Sequence, residues 1–81
     1  MNRKEEKQRK EIIRKKFGQH LRKLRQEKKI SAVDLAGSCD MEKSHYSRLE
    51  NGGTMPTLHT LLKLSEAFEI SVDQLLKEFK P

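Results

Sequence analysis

The chain has 81 residues, of which 37% are charged, and a formal net charge of +6. Its length allows one domain with a modest core, and its single cysteine excludes an internal disulfide. The charged N-terminus lacks the apolar segment of a secretory signal, and no stretch approaches the roughly 18 apolar residues of a membrane-spanning helix. We therefore expect a cytoplasmic protein that does not enter membranes.

The charge is distributed unevenly along the sequence. Residues 1–29 contain 13 Lys or Arg and 4 Asp or Glu, a net charge of +9, whereas residues 30–81 contain 5 and 8, a net charge of −3. A basic half favours a nucleic acid or another anionic surface as partner, although such runs are more often solvated helix faces.

The hydrophobic pattern divides the chain near residue 12. Residues 1–11 are nearly all Lys, Arg, Glu and Gln, which favour a helix but offer no apolar face. We predict a charged N-terminal extension here, which either prolongs the first helix or frays. It serves either as a solubilising tail or as a basic arm on DNA phosphates. The folded domain is expected to span residues 12–81.

Four helices are predicted from periodicity and capping residues. The first helix of the domain follows an apolar period of about 3.6 residues and runs from Ile13 to about Lys28. Ser31 with Asp34 predicts a capping box before a helix over residues 32–39, and Ser71 with Gln74 predicts another before a helix over residues 72–79. Thr57 is the expected cap of a strongly apolar helix between them.

The stretch from Glu42 to Gly52 carries the most specific signal. Tyr46 and Leu49 lie three apart and predict a buried side of a short helix, and Asn51-Gly52 predicts its C-terminal end. The opposite side of this helix is polar. With this helix, the third in chain order, the sequence indicates five helices and no strand, an all-α domain.

The segment Ser47-Arg48-Leu49-Glu50-Asn51-Gly52, followed by Pro56 and Leu58, resembles the recognition helix and following loop of the phage-repressor-like (Cro/CI, XRE-type) helix-turn-helix family. The resemblance extends from about Phe17 to Leu76. It implies a five-helix, lambda-repressor-like domain that inserts its third helix, residues 42–50, into the major groove of operator DNA.

The resemblance also implies particular site residues. Base contacts are expected from Glu42, Lys43, Ser44 and Arg48, and contacts to the DNA backbone from Ala32, His45, Ser47, Asn51, Gly53 and Thr54. Of the first set, Arg48 and Lys43 can donate to guanine O6 and N7. In this family an arginine late in the first helix pairs with the glutamate of Glu-Asn-Gly, which implies a structural ion pair between Arg25 and Glu50.

Several positions depart from the family pattern. Asp40 stands in the turn where glycine is usual, which requires a left-handed conformation that Asp tolerates. Glu42 replaces the usual Ser or Thr cap, Ala32 replaces a common Gln, and Gly53-Thr54-Met55 replaces basic residues. These departures support the alternative that the fold is a protein-interaction module, antitoxin-like or adaptor, with weak or lost DNA binding.

The sequence supports no other chemistry. His20, His45 and His59 fall on different predicted helices without a partner at metal-ligand spacing, and no nucleophile and base are paired, so we expect no metal, cofactor, small-molecule ligand or catalysis. The resemblance implies a sequence-specific transcriptional regulator, expected to be a repressor; a prophage-type repressor, a restriction-modification controller and an antitoxin are its variants, which the sequence does not separate. The protein would bind double-stranded DNA as a homodimer through Val72, Leu76 and Phe79.

Overall fold

The computed structural model describes residues 2–80, and within them it contains five helices and no strand. The helices are α1 Arg3–Glu27, α2 Ala32–Ser38, α3 Lys43–Glu50, α4 Leu58–Phe68 and α5 Val72–Leu76. The predicted all-α, five-helix class is confirmed. Met1 and Pro81, the outer ends of the predicted extension and domain, lie outside the described residues.

Every helix contributes to a single core. The buried apolar side chains are those that the periodicity places on one face of each helix, because burying them removes apolar surface from water, at about 25 cal/mol per Å². They are Phe17, Leu21, Leu35, Ala36, Cys39, Tyr46, Leu49, Leu64, Phe68 and Leu75. Helix α1 packs against α3, and α3 against α2, so the third helix is held from two sides.

Helix α1 is much longer than its amphipathic part. It begins at Arg3, where the Asn2 side chain accepts a hydrogen bond from the Glu5 amide at 2.9 Å, and all residues from 2 to 12 are exposed. The N-terminal extension therefore prolongs the first helix instead of fraying. Its side chains add nothing to the core.

The α2 cap and the following turn largely follow the sequence expectation. The Ser31 hydroxyl accepts from the Asp34 amide at 3.1 Å, which confirms the cap, but among residues 2–80 Asp34 does not return a bond to Ser31, so the box is incomplete. Helix α2 ends at Ser38. Asp40 has φ of 52°, which confirms its left-handed conformation.

The predicted caps of the two C-terminal helices are confirmed, but the predicted end of α5 is not. Thr57 caps α4, and Ser71 and Gln74 form a complete, reciprocal capping box on α5. The prediction that α5 continues to residue 79 is wrong, because it ends at Leu76. Beyond that point Phe79 donates its amide to the Leu76 carbonyl, three residues earlier, at 3.0 Å, which is the tighter turn that often closes a helix.

Candidate nucleic-acid interface

One face of helix α3 is buried in the core, and the opposite face, called the free face, is exposed to solvent. Tyr46 and Leu49 are at most 1% exposed, whereas Lys43, Ser44 and Arg48 are all exposed. His45 and Ser47 are half-buried at the border between the two faces. The three exposed residues expected at the bases are thus brought together on one surface.

Glu42 occupies the N-cap position of α3 but does not cap it. Its backbone is extended, with φ of −66° and ψ of 141°, and its side chain makes no capping hydrogen bond. The carboxylate is exposed. Glu42 therefore joins the free surface as an unused hydrogen-bond acceptor.

At the C-terminal end of the buried face, Glu50 forms an ion cluster with two arginines of α1. Arg25 donates from Nε to Glu50 Oε2 at 2.6 Å and from Nη2 to Oε1 at 3.1 Å, the bidentate geometry that a guanidinium favours. Arg22 donates from Nε to the same Oε1 at 3.2 Å and from Nη2 to Asn51 Oδ1 at 3.2 Å. A third Arg25 nitrogen, Nη1, donates to the Ile30 carbonyl at 3.0 Å.

The electrostatics of this cluster keep Glu50 charged. Burial by itself would raise the pKa of Glu50, which is only 8% exposed, but the hydrogen bonds, that from Arg25 foremost, outweigh it and hold the pKa below its ordinary value. Burial, together with the adjacent carboxylate, raises the pKa of Tyr46, so the phenol stays neutral. Helix α3 is therefore joined to α1 by a charged cluster that is largely withdrawn from water.

Two glycines let α1 approach the end of α3 closely. A Cβ atom placed on Gly18 would lie 2.3 Å from the Glu50 carbonyl oxygen and 2.6 Å from that of Leu49, and one on Gly52 would lie 2.9 Å from Lys15 Cα. Gly52 also has φ of 75°, a conformation that suits glycine. Arg14 adds a hydrogen bond from Nε to the Gly52 carbonyl at 3.3 Å.

In the loop after α3, the amides of Gly52 and Gly53 are already hydrogen-bonded within the protein. The Gly53 amide donates to the Arg48 carbonyl at 2.8 Å, and the Gly52 amide donates to the Leu49 carbonyl at 3.2 Å, the pattern of a Schellman helix end. Asn51 and Gly53 are exposed and Thr54 is half-buried. Ala32, the first residue of α2, is half-buried as well.

A groove of about 410 Å³ lies between α3 and α4. Besides His45 and Arg48, its lining includes two side chains of α4 that were not among the expected DNA contacts, His59 and Lys63. Lys63 donates to the Asp40 carbonyl at 3.3 Å. Among residues 2–80, no three His, Cys, Asp or Glu side chains are placed to hold a metal ion.

The three residues expected at a dimer interface are half-buried within the monomer. The Phe79 ring meets Phe17 edge-on at a centroid distance of 5.7 Å and lies 5.8 Å from the ring of His20. Val72 and Leu76 are also of intermediate exposure. Two exposed apolar side chains lie on α4, where Leu58 is 69% and Leu62 is 47% exposed.

Sequence reasoning missed Arg14, Gly18 and Arg22. A signal was present, because these three lie at spacings of four residues, on the same α1 face as Arg25. A glycine inside a helical pattern is also often a packing position. What the sequence did not show is that the end of α3 lies against this face.

The arrangement of α2, a tight turn and an exposed α3 defines a helix-turn-helix domain. Within residues 2–80, no helix is long and apolar enough to cross a membrane. The free face of α3 combines donors and acceptors of the kind that read base edges in a major groove.

Comparison with known proteins shows to which helix-turn-helix proteins the chain is similar. It matches the helix-turn-helix family over residues 21–75. It is 39% identical over 62 residues to the HTH-type transcriptional regulator DdrOP3 of Deinococcus deserti, covering 76% of this chain but only 48% of that protein. It is 33% identical over 69 residues to the control protein C.MunI of a Mycoplasma species, covering 84% of this chain and 93% of that one.

A solved structure supports the same placement. The restriction-modification controller protein C.AhdI from Aeromonas hydrophila superposes with a TM-score of 0.70 at 37% identity, covering 74% of this chain and 91% of that one. The chain belongs to the helix-turn-helix family of the Cro/CI type. This is a family of DNA-binding transcriptional regulators, which bind double-stranded DNA, and not a family of enzymes.

Proposed function

We propose that this protein is a sequence-specific operator-binding repressor that places α3 in the major groove. The observation that carries the proposal is the division of α3 into two faces. Its back is tied to α1 through Glu50, while Lys43, Ser44 and Arg48 are exposed together on the front. A rigid helix with free polar side chains is suited to reading bases, because the side chains keep a constant position relative to the groove.

The front face suggests which bases are read. Arg48 and Lys43 donate to guanine O6 and N7, and Ser44 pairs with several bases. Glu42 is free to accept from the cytosine amino group because it does not cap α3. We therefore expect guanine and cytosine in the central base pairs of each half-site.

Contacts to the DNA backbone are proposed at the borders of this face. Asn51 and Thr54 in the loop, His45 and Ser47 on α3, and Ala32 at the start of α2 would meet the flanking phosphates. Because the Gly53 amide already donates to Arg48, side chains are expected to supply most of the loop's contribution.

We further propose that the protein acts as a homodimer in the cytoplasm, where its DNA target is found. Two copies related by a two-fold axis would place their α3 helices in successive major grooves, about 34 Å apart, on a palindromic site. Val72, Leu76 and Phe79 are proposed to meet their counterparts in the second copy. Among the possible biological roles, a controller is favoured, because the control protein C.MunI and the restriction-modification controller C.AhdI are matched over nearly their full length.

The proposal is tested by selecting duplexes from a random library with the full chain and measuring binding by gel shift. We expect enrichment of a palindrome. Arg48→Ala should weaken binding to that site by about 1 to 3 kcal/mol and abolish discrimination at one base pair. Arg9→Ala, which removes the same charge from the exposed extension, should preserve the base preference.

Two results would contradict the proposal in different ways. Equal weakening of Arg48→Ala on selected and random duplexes would make Arg48 a phosphate contact and remove the specificity assignment. Failure of the unchanged protein to enrich any duplex would favour the alternative of a protein-interaction module on the same fold.

A further inference from the structure

The N-terminal third of α1 has no structural role in the domain core. Residues 2–11 are exposed on all sides, and a helix that is polar all round is held by local pairs instead of packing. Here the pairs are Glu6 with Lys10 at 4.0 Å and Glu11 with Lys15 at 2.9 Å. The helix therefore continues on the N-terminal side of the α1 residues that pack in the core.

One face of this helix is defined by its contacts with the end of α3. Arg25, Arg22 and Gly18 all meet Glu50, and Arg14 meets Gly52. Because residues three and four apart share a helix face, the same line continues through Glu11 and Lys7 to Lys4. We call the N-terminal part of this line, formed by Lys4, Lys7, Glu11 and Arg14, the basic face.

The basic face carries a net positive charge. The carboxylate of Glu11 is matched by Lys15, and that hydrogen-bonded pair lowers the pKa of Glu11. Within residues 2–80, Lys4 and Lys7 have no acidic partner of this kind. Arg14 is half-buried where the face meets the loop after α3. The cations thus begin at the loop and extend away from the domain.

That loop is where the proposed function places the DNA backbone. Arg14 bonds to Gly52, which lies between the proposed phosphate contacts Asn51 and Thr54. From Arg14 to Lys4 the helix advances roughly 15 Å at about 1.5 Å per residue. Phosphates of one strand follow each other at about 3.4 Å along the DNA axis, so several lie within this length.

We propose that the basic face is a second DNA-binding surface, which contacts the phosphates flanking the half-site that α3 reads. This inference rests on the proposed function and extends it beyond the domain. The partner is duplex DNA of any sequence, since Lys4 and Lys7 offer charge without directional readout. A lipid surface is disfavoured because the extension has no apolar side to insert.

The experiment compares two variants of equal charge. Lys4→Gln with Lys7→Gln alters the basic face, and Arg9→Gln with Lys16→Gln removes the same charge from the opposite side of α1. Lys4, Lys7 and Arg9 are exposed, and glutamine retains helix propensity. Circular dichroism and thermal unfolding verify that both proteins keep the fold.

Binding of the selected duplex is measured by gel shift as a function of salt, with flanks of about 10 bp or with none. On the flanked duplex, the basic-face variant should lower the slope of log affinity against log salt by about 1 to 2, and the opposite-face variant by less than about 0.5. Removing the flanks from the DNA should reduce the slope of the unchanged protein by a similar amount.

The outcomes separate this inference from the function on which it rests. Equal slope changes for the two variants, or no effect of the flanks, would overturn the second surface while leaving operator binding intact. If the unchanged protein binds no duplex at all, operator binding and the basic-face proposal both fail.

Discussion

Among single residues, Gly18 determines how closely α1 approaches α3, the helix proposed to read the bases and called the reading helix below. Its missing side chain lets α1 lie directly on the carbonyl groups of Leu49 and Glu50. Those carbonyls belong to the last turn of α3, and backbone atoms cannot rotate out of the way as a side chain can. The position of α3 relative to α1 therefore depends on the absence of one methyl group.

Replacing Gly18 with Ala is expected to destabilise the domain by about 1 to 3 kcal/mol, because its Cβ would displace the backbone of α3. Gly37→Ala is the matched control. Gly37 lies in α2, and beyond its chain neighbours and the backbone of its own helix nothing lies within 4 Å of the position that its Cβ would take, so the same change should stabilise by about 0.5 to 1 kcal/mol.

Urea denaturation of the two glycine variants measures both effects, and gel shift shows whether α3 has moved. A stable Gly18→Ala protein that binds the selected duplex normally would show that α1 and α3 can separate without consequence. It would also remove the reason given for the glycine.

Between elements, the contact of α1 with α3 combines apolar packing with a charged cluster. Arg25 has only 17% of its side chain exposed and Glu50 5%, whereas Arg22 has 50% exposed. A pair withdrawn from water depends on both partners, since removing one leaves a buried charge uncompensated. An exposed pair contributes little.

We expect Arg25→Met to lower the free energy of unfolding by about 3 kcal/mol or more, and Arg22→Met by less than about 1 kcal/mol. A double-mutant cycle of Arg25→Met with Glu50→Gln at neutral pH should reveal clear coupling. A coupling energy of zero would contradict the proposed link between α1 and the reading helix.

The same coupling should depend on pH in a defined direction. Because the pKa of Glu50 is lowered in the folded state from its ordinary 4.5, the unfolded chain binds the proton first as the pH falls. The stabilisation is complete above about pH 4.5 and disappears as the pH drops through the lower folded value. Glu50→Gln should lack this part of the acid dependence.

For the molecule as a whole, the proposed dimer depends on which apolar surface a second copy would cover. Phe79 already packs on Phe17 within the monomer, so it is partly committed to the core. Leu76 is half-buried on the same terminal segment, and Leu58 is exposed on α4. A small domain gains stability by burying such residues against a partner.

Leu76→Glu is expected to give a folded monomer with weakened binding to the palindromic duplex, because a carboxylate is not tolerated in an apolar interface. Leu58→Glu makes the same change on α4 and should leave the dimer intact. Sedimentation equilibrium measures the assembly state, and urea denaturation measures the fold.

A monomeric Leu58→Glu protein beside a dimeric Leu76→Glu protein would assign the interface to α4 instead. Phe79→Glu is less informative, since it also removes the edge-on contact with Phe17 and should lower stability within the monomer.

Features that depend on neighbours a few residues apart could be predicted from the amino-acid sequence. The caps at Ser31, Thr57 and Ser71, and the left-handed turn at Asp40, were all predicted and are observed. The two faces of α3 were predictable as well, because a period of about 3.6 residues separates apolar from polar side chains. Local hydrogen bonds and periodicity require no knowledge of the rest of the chain.

Other features follow only from the way the helices pack. The apolar pattern of α5 continues to Phe79, yet the backbone tightens after Leu76 and the ring turns onto Phe17. Arg22 and Gly18 acquire partners only because α1 crosses the end of α3. Such contacts join segments far apart in sequence, and no local pattern encodes the distance between two helix axes.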